Sequence, residues 1–420
     1  MKVCVWTLGC KVNFYESEGL ITELKNLGYE CTNKLEYADI YILNTCAVTN
    51  EGERKSRQLV SKVRLLNENA KIIVCGCASQ KNFKQFEDLN VNVIVGNGYK
   101  KEIINLLEEE KYSEIKKLPK EYTEEFIVSP QRVRAYLKVQ DGCNNFCSYC
   151  IIPFLRGRSR SRSLENVLKE AEIVSKTCNE IVLTGINLSD YKPSLIELIE
   201  KLGHLTSRIR LGSLEVNVVT KDFLQRLVNI KNFCPHFHLS LQSGSNETLK
   251  NMNRHYTKEE YLEKVKLIRS FFPYASITTD LIVGFPGEKL ENFLESVDTS
   301  KSAEFFNIHC FPYSKREGTK ANLMKDQILK TEKQKRVNVI KELNKELFTK
   351  YINKLKENSV NQSLLIEEIV NINGEKYFTG HSEYYVKCYI PFNEKFKEND
   401  IYKSEIENEF LDGVILKWKQ

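Results

Sequence analysis

The sequence predicts an α/β chain in three parts. An N-terminal parallel-sheet domain spans 1–115, a central partial barrel of about six strand–helix units spans 129–357, and a small all-β domain spans 358–420. Three observations predict this. Short apolar runs alternate with amphipathic stretches from the start, the pattern of a parallel sheet covered on both faces. The alternation stops in the charged stretch 111–130 (KYSEIKKLPKEYTEEFIVSP) and resumes at Val133. The last 60 or so residues abandon it for short strands separated by Asn, Gly and Pro turns.

In the first domain, Val3–Leu8, Ile40–Asn44, Ile72–Cys75 and Val91–Val95 read as buried strands. Glu16–Leu27, Glu51–Leu66 and Lys100–Glu109 carry helical periodicity between them. The stretch 111–130 reads as a linker or crossing segment. Central strands are expected at Ala135–Val139, Glu180–Thr184, Ile209–Gly212, His236–Leu241, Ser276–Val283 and Phe306–Phe311, closed by a long charged helix, Lys330–Glu357. In such barrels the active site lies at the carboxyl ends of the strands. In the last domain, Ser363–Glu368, Lys376–Thr379, Tyr384–Ile390 and Gly413–Lys417 look like strands of a small barrel. That architecture often binds oligonucleotides and otherwise serves as a cap.

Composition narrows the function. Hydrophobic residues at 41% and charged residues at 28% of 420 exclude a disordered chain. Lys and Arg number 62 against 56 Asp and Glu, a net charge of +6 that is compatible with nucleic acid without arguing for it. No apolar run approaches the roughly 18 residues of a membrane span. The start, MKVCVWTLGCK, is interrupted too early for a secretory signal, so a cytoplasmic protein is expected. Thirteen cysteines, an odd number without an export signal, argue against a disulfide framework. Clustered cysteines then read as metal or redox ligands and scattered ones as small buried hydrophobes.

Cys143-Asn-Asn-Phe-Cys147-Ser-Tyr-Cys150 follows the first central strand directly. Three thiolates from one tight loop can grip one cluster. A structural zinc wants four ligands, and no fourth Cys or His lies nearby. Three thiolates on a [4Fe–4S] cluster leave one iron open for another ligand. Cys10, Cys46 and Cys77 are far apart in sequence, but each follows a predicted strand, so one sheet edge can hold all three. Taken alone they read equally as buried structural thiols. Cys75 shares a strand face with Cys77, which at the strand end is the better ligand.

The C-x₃-C-x-aromatic-C spacing resembles the signature of the radical S-adenosylmethionine (SAM) superfamily. The resemblance implies that the open iron binds the amino and carboxylate groups of SAM. One electron then splits the sulfonium to a 5′-deoxyadenosyl radical, with Tyr149 near the adenine. The two triads together resemble the methylthiotransferase family over nearly the whole chain. Further stretches match in order: Ile151–Arg162, Leu183-Thr-Gly-Ile-Asn187, His238–Ser245 and Thr279–Glu288. Gly-Cys10-Lys-Val-Asn-Phe-Tyr-Glu-Ser, Asn-Thr-Cys46-Ala-Val-Thr-Asn, Lys55-Ser-Arg-Gln58 and Ser213–Asn217 look like the branch acting on threonylcarbamoyladenosine in tRNA. Gly52 and Val216 depart from that branch, where Ala and Pro are more usual.

The resemblance implies an auxiliary [4Fe–4S] cluster on Cys10, Cys46 and Cys77, and a SAM-binding [4Fe–4S] cluster on Cys143, Cys147 and Cys150. It also implies a C-terminal RNA-binding TRAM domain and two SAM molecules per turnover, one methylating a sulfur on the auxiliary cluster. The implied partners are a tRNA anticodon stem-loop and a flavodoxin- or ferredoxin-like electron donor. The sulfur source is not read from the sequence. Alternative substrates are isopentenyladenosine in tRNA and a ribosomal-protein aspartate, and another alternative is a radical SAM enzyme with structural N-terminal cysteines. Asn187, Gln242 and Arg254 are candidate contacts to SAM or adenosine. Asp280 is a further candidate, with a structural hydrogen bond as the competing role.

Arg156, Arg158, Arg160 and Arg162 alternate close after the cluster loop and are expected to contact successive phosphates, with internal ion pairs as the alternative. Lys387 and the aromatics Tyr377, Phe378, Tyr384 and Tyr385 suit stacking on unpaired anticodon-loop bases, or core packing. Gly284-Phe-Pro-Gly287 lacks the Lys-Ser/Thr of a Walker motif, so nucleoside triphosphate binding is not expected. His236 and His238 read as structural.

Overall fold

The computed structural model describes residues 1–123 and 126–418. Residues 124–125 of the linker and 419–420 of the last domain, both included in the sequence-predicted ranges, lie outside the described residues. Six parallel strands form the N-terminal sheet: β1 (Lys2–Thr7), β2 (Glu30–Thr32), β3 (Ile40–Thr45), β4 (Lys71–Gly76), β5 (Val93–Val95) and β6 (Tyr112–Glu114), in the order β2-β1-β3-β4-β5-β6. β3 is buried at every position, as a central strand covered on both faces must be. The two strands that the apolar pattern does not reveal, β2 and β6, are three-residue edge strands with polar or exposed positions. β6 lies in the stretch read as linker.

Helix α1 (Lys11–Asn26) begins five residues before its apolar period suggests, because Asn13, Glu16 and Ser17 are polar yet buried. Helix α2 (Asn50–Leu66) follows the expected bounds, with Thr49 as N-cap accepting the Gly52 N–H at 3.0 Å. The five-residue helix α3 (Cys77–Lys81) follows β4 without a loop. The stretch read as Lys100–Glu109 is a 3₁₀ helix over Lys100–Leu106.

The central region holds all six expected parallel strands, within one or two residues at each end. They are β7 (Arg134–Lys138), β10 (Glu180–Thr184), β11 (Arg208–Leu211) running on as β12 (Ser213–Leu214), β13 (His236–Leu239), β14 (Ser276–Val283) and β15 (Asn307–Pro312). A small antiparallel pair, β8 (Gln140–Asp141) and β9 (Arg160–Ser161), brackets the first cysteine loop. Gly212 breaks the third strand, so β11 joins a sheet ordered β11-β10-β7 and β12 joins β12-β13-β14-β15. The break lets the six strands curve as an open half-barrel. Helix Lys330–Glu357 closes the region.

The C-terminal strands are β16 (Gln362–Ile372), β17 (Glu375–His381), β18 (Lys387–Pro391), β19 (Ile401–Ser404), β20 (Ile406–Phe410) and β21 (Gly413–Leu416). They form one sheet, antiparallel except where β18 meets β21. β19 and β20 both lie outside the expected strands; β19 is only four residues long, and in β20 Glu407, Asn408 and Glu409 are exposed.

Among the buried polar contacts that join the parts, two are dense clusters. In the first, Glu16 of α1 and Asp141 of β8 are shared by four buried cations. Lys100 pairs with Glu16, Lys138 lies 2.6 Å from Glu16 and 2.8 Å from Asp141, Arg156 lies 2.9 and 3.1 Å from the two, and Arg160 lies 3.0 Å from Asp141. This knot ties the N-terminal sheet to the half-barrel.

The second contact plugs the half-barrel at the amino ends of its strands, where the C-terminal domain packs. Tyr385, in the left-handed region at φ 64°, stacks between His236 (4.5 Å) and His381 (4.7 Å). Arg134 and Arg210 lie over its ring at 5.6 and 5.1 Å. Arg210 also pairs with Glu180 (2.8 Å) and donates to the Ser382 carbonyl (2.8 Å). Tyr385 is therefore core packing, and Phe378 is buried too. His236 is structural as expected.

Candidate functional site

Cys10, Cys46 and Cys77 sit at the ends of regular elements, whereas Cys143, Cys147 and Cys150 share the loop between β8 and the short helix Ile152–Arg156. Cys10 is the N-cap of α1, with no side-chain cap bond, which leaves its thiol free at the positive end of a helix. Cys46 follows β3 directly and Cys77 opens α3. Gly76, at φ 104°, makes the turn into Cys77. A Cβ there would lie 2.5 Å from the Thr45 carbonyl oxygen, so the position admits only glycine. Gly142 does the same before Cys143, at φ 73° and 2.1 Å from the Arg158 carbonyl.

The three N-terminal thiols converge. Cys10 and Cys77 are the neighbouring thiols whose charge Cys46 feels. Cys46 Sγ would lie only 3.3 Å from a Cβ at Gly9 and 3.5 Å from one at Gly52, so small residues leave its sulfur room. The Val48 N–H donates to Cys46 Sγ at 3.5 Å and Asn97 Nδ2 to Cys77 Sγ at 3.4 Å. In the second triad, Cys147 and Cys143 are neighbours of Cys150. Arg254 Nη1 donates to Cys147 Sγ at 3.3 Å, while its Nη2 pairs with Glu215 at 3.0 Å.

The donor chemistry fits iron–sulfur clusters. Burial pushes Cys46 and Cys143 up to about 11 and Cys150 up to about 12, so these thiols ionise when iron displaces the proton. N–H···S donors are the groups that tune a cluster. Among the described residues no three Cys, His, Asp or Glu side chains close on a single ion. A four-iron cube spreads its thiolates wider than one zinc does. The four-cation knot supplies buried positive charge beside the sulfurs, and Arg156 feels Cys77 directly.

Between the triads lies a cavity of about 280 Å³. Val48 and Thr49, just after Cys46, line one side, and Tyr149, Cys150, Ile151 and Ile152 another. Gln242, Asp280, Ile282 and the loop from Phe311 to Arg316 complete it. Larger hollows of about 960 and 730 Å³ lie elsewhere, along helix Lys330–Glu357 and beside Arg132 and Glu367, away from both triads.

The cavity gathers three of the sequence candidates: Tyr149, Gln242 and Asp280. Tyr149 packs edge-on against Phe285 at 6.5 Å. Gln242 sits at φ 65° with its N–H on the Asp280 carbonyl, and Asp280 Oδ2 lies 3.4 Å from His238. Arg254 belongs to the cluster loop instead. Asn187 does not line the cavity. Its N–H donates to Gln140 and its buried Nδ2 has no partner among the described residues.

The arginine run is corrected by the structure. Arg156 and Arg160 belong to the knot, and Arg162 pairs with Glu170 inside the protein. These side chains are turned inward onto carboxylates of other elements and do not present their charge on the outer surface. Only Arg158 is exposed, its guanidinium 4.3 Å from the Phe146 ring. Lys387 is half-buried and pairs with Asp412 at 2.9 Å. Sequence reasoning missed Arg316, although its position just past the carboxyl end of β15 was a usable signal. It also missed Glu215, inside a stretch that it did single out.

Comparison with known proteins is consistent along the chain. Residues 137–299 match the radical SAM superfamily and residues 2–96 match Uncharacterized protein family UPF0004. The threonylcarbamoyladenosine tRNA methylthiotransferase MtaB of Aquifex aeolicus is 38% identical, covering 88% of this chain and 93% of its own. That of Bacillus subtilis is 35% identical, covering 92% and 89%. A tRNA-2-methylthio-N(6)-dimethylallyladenosine synthase of Natranaerobius thermophilus is also 35% identical, covering 90% and 88%. Among solved structures, the radical SAM methyltransferase TsrM of Kitasatospora setae superposes with a TM-score of 0.58 at 14% identity, covering 76% of this chain and 77% of that one. At that identity it speaks for the fold alone.

Proposed function

The chain belongs to the radical SAM methylthiotransferase family, and we propose that it converts N6-threonylcarbamoyladenosine at position 37 of tRNA to its 2-methylthio derivative. One observation carries the reading: a single cavity is lined both by residues next to Cys46 and by Cys150 itself. Sulfur insertion at a carbon needs a sulfur station and a SAM site that open on one space. The identity to two threonylcarbamoyladenosine enzymes over most of the chain supports the substrate.

When bound, the two [4Fe–4S] clusters and SAM supply the sulfur, the methyl group and the one-electron chemistry that an unactivated C2–H bond requires. The chain's own residues bind, orient and enclose. Cys10, Cys46 and Cys77 would hold the auxiliary cluster, with the Val48 N–H donating to Cys46 Sγ and Asn97 to Cys77 Sγ. Cys143, Cys147 and Cys150 hold the other, with Arg254 donating to Cys147. Tyr149 and Gln242 line the space that SAM and the adenine share, and Asp280, steadied by His238, offers a carboxylate for hydrogen bonds there. Exposed Arg158, over the half-buried Phe146 ring, is the surface cation of the run that an anticodon stem-loop would meet, and Lys387 would have to leave Asp412 to join it. A one-electron donor of flavodoxin or ferredoxin type completes the partners. Among the described residues no helix is long and apolar enough to cross a membrane.

Mass spectrometry of tRNA nucleosides from a strain lacking the gene tests the reading. The 2-methylthio form of threonylcarbamoyladenosine should vanish and return on complementation. Loss of the isopentenyladenosine derivative instead would move the enzyme to the neighbouring branch.

A further inference from the structure

Arg316 reaches the cavity from the loop after β15, and only 3% of its side chain is exposed. Two of its three guanidinium nitrogens are committed to the loop that follows Cys46. Nε donates to the Val48 carbonyl at 3.1 Å, and Nη1 to Asn50 Oδ1 at 2.6 Å and Glu53 Oε1 at 3.2 Å. Nη2 is buried and has no partner among the described residues. A buried guanidinium N–H pair without an acceptor is costly, and its neighbours do not neutralise it. Glu53, the carboxylate it touches, is shared with Lys81 at 2.7 Å. Asp280, the carboxylate lining the same cavity, is beside His238.

We infer that Arg316 Nη2 receives an oxyanion of the target nucleotide, the carboxylate of its threonylcarbamoyl group or its own backbone phosphate. This rests on the substrate reading above. The choice of nucleotide over SAM follows from position. SAM belongs to the Cys143/Cys147/Cys150 side, where Arg254 already stands 3.3 Å from Cys147 Sγ. Arg316 braces the Cys46 side, where the acceptor carbon must come to receive sulfur. The cavity mouth is open there, with Val48 51% and Phe311 45% exposed. A guanidinium already fixed by three acceptors meets an oxyanion with little ordering left to do, which favours both grip and register.

The test uses the reconstituted full-length protein and synthetic anticodon stem-loops of three kinds. One carries the native threonylcarbamoyl acid, one its neutral methyl ester, and one a neutral methylphosphonate at the target nucleotide. RNA affinity and KM are measured for the wild type and Arg316→Gln, alongside SAM affinity and iron content. One neutral stem-loop should bind wild type about tenfold or more weakly than the native one, the size of a lost charged hydrogen bond. Arg316→Gln should bind that pair equally weakly, with SAM affinity and iron unchanged. Loss with the ester assigns the base carboxylate, and loss with the methylphosphonate assigns the phosphate. Equal wild-type binding of all three overturns the inference whatever the variant does. So does an Arg316→Gln defect confined to SAM. If the glutamine variant loses iron, Arg316→Lys takes its place in the same comparison, and a lysine variant that discriminates as wild type does overturns the role of Nη2. Methylthiolated product from wild type on the native stem-loop checks the substrate reading separately.

Discussion

Cys143, Cys147 and Cys150 come from one loop, whereas Cys10, Cys46 and Cys77 come from the ends of three separate strands. The first triad needs little beyond one strand, β7, and a glycine turn to bring its thiols together. The second exists only if β1, β3 and β4 pair in register and the sheet is held against the half-barrel. A local site is robust to loosening elsewhere, and an assembled site inherits every weakness of the fold that assembles it.

The sharpest test of that contrast removes one ligand from each. Cys147→Ala should abolish SAM cleavage, while Cys46→Ala should keep SAM cleavage and lose all methylthiolation. Each should lower iron from about eight to about four per chain on iron and acid-labile sulfide analysis. Product from Cys46→Ala would break the comparison, because the assembled triad would then have no part in the chemistry.

A smaller effect separates the triads through the knot. Glu16→Gln takes the carboxylate away from Lys100 and leaves Lys138, Arg156 and Arg160 sharing Asp141 alone, and breaking a buried ion pair from one side costs about 3–5 kcal/mol. Urea unfolding should show that loss, and iron should leave the N-terminal triad first. Equal iron loss from both triads would show that the knot supports the two alike.

The smallest effect lies two residues along the same helix. Glu16 is held well below the usual carboxylate range, against the cost of its burial, by Arg156, Lys100 and Lys138. Burial pushes Glu18 up to about 7, opposed by Arg132 at 3.6 Å and a backbone hydrogen bond from Gln131. A carboxyl raised on folding costs nothing below its unfolded value. The cost grows as pH climbs from about 4.5 to about 7 and is constant above. Glu18→Gln should therefore stabilise the protein by up to ~3 kcal/mol at pH 8 and hardly at all at pH 4. Equal stabilisation at both pH values, followed by thermal melting, would mean that Glu18 is not charged on unfolding in this window.

The same contrast governs what could be read from sequence. The Cys143 loop was legible because its chemistry is local, and the strands were legible because β3 and β10 are apolar along most of their length and β14 ends in the apolar run Leu281–Val283. The strand-end triad became readable only when strand positions were combined with family resemblance. The arginine run was misread for the opposite reason. Nothing in Arg156–Arg162 tells an arginine that will meet Glu16, Asp141 or Glu170 from one that faces RNA, since those partners lie in other elements. Arg158 differs from its neighbours only in which way β9 and the turn before it aim its side chain. Arg316 went unnoticed because a single basic residue in a loop gains meaning only from the cavity beside it.

Tyr385 sets a limit on modularity. Because a residue of the turn between β17 and β18 is clamped between a histidine of the half-barrel and one of its own domain, under Arg210, which also binds Glu180 and the Ser382 carbonyl, and Arg134, which pairs with Glu367, the last domain behaves as a stopper cut for one bottle. Recombination that swaps this domain among relatives, in nature or at the bench, must carry Arg134, Arg210 and His236 along with it. The last domain and the half-barrel are thus free to evolve only as a matched pair.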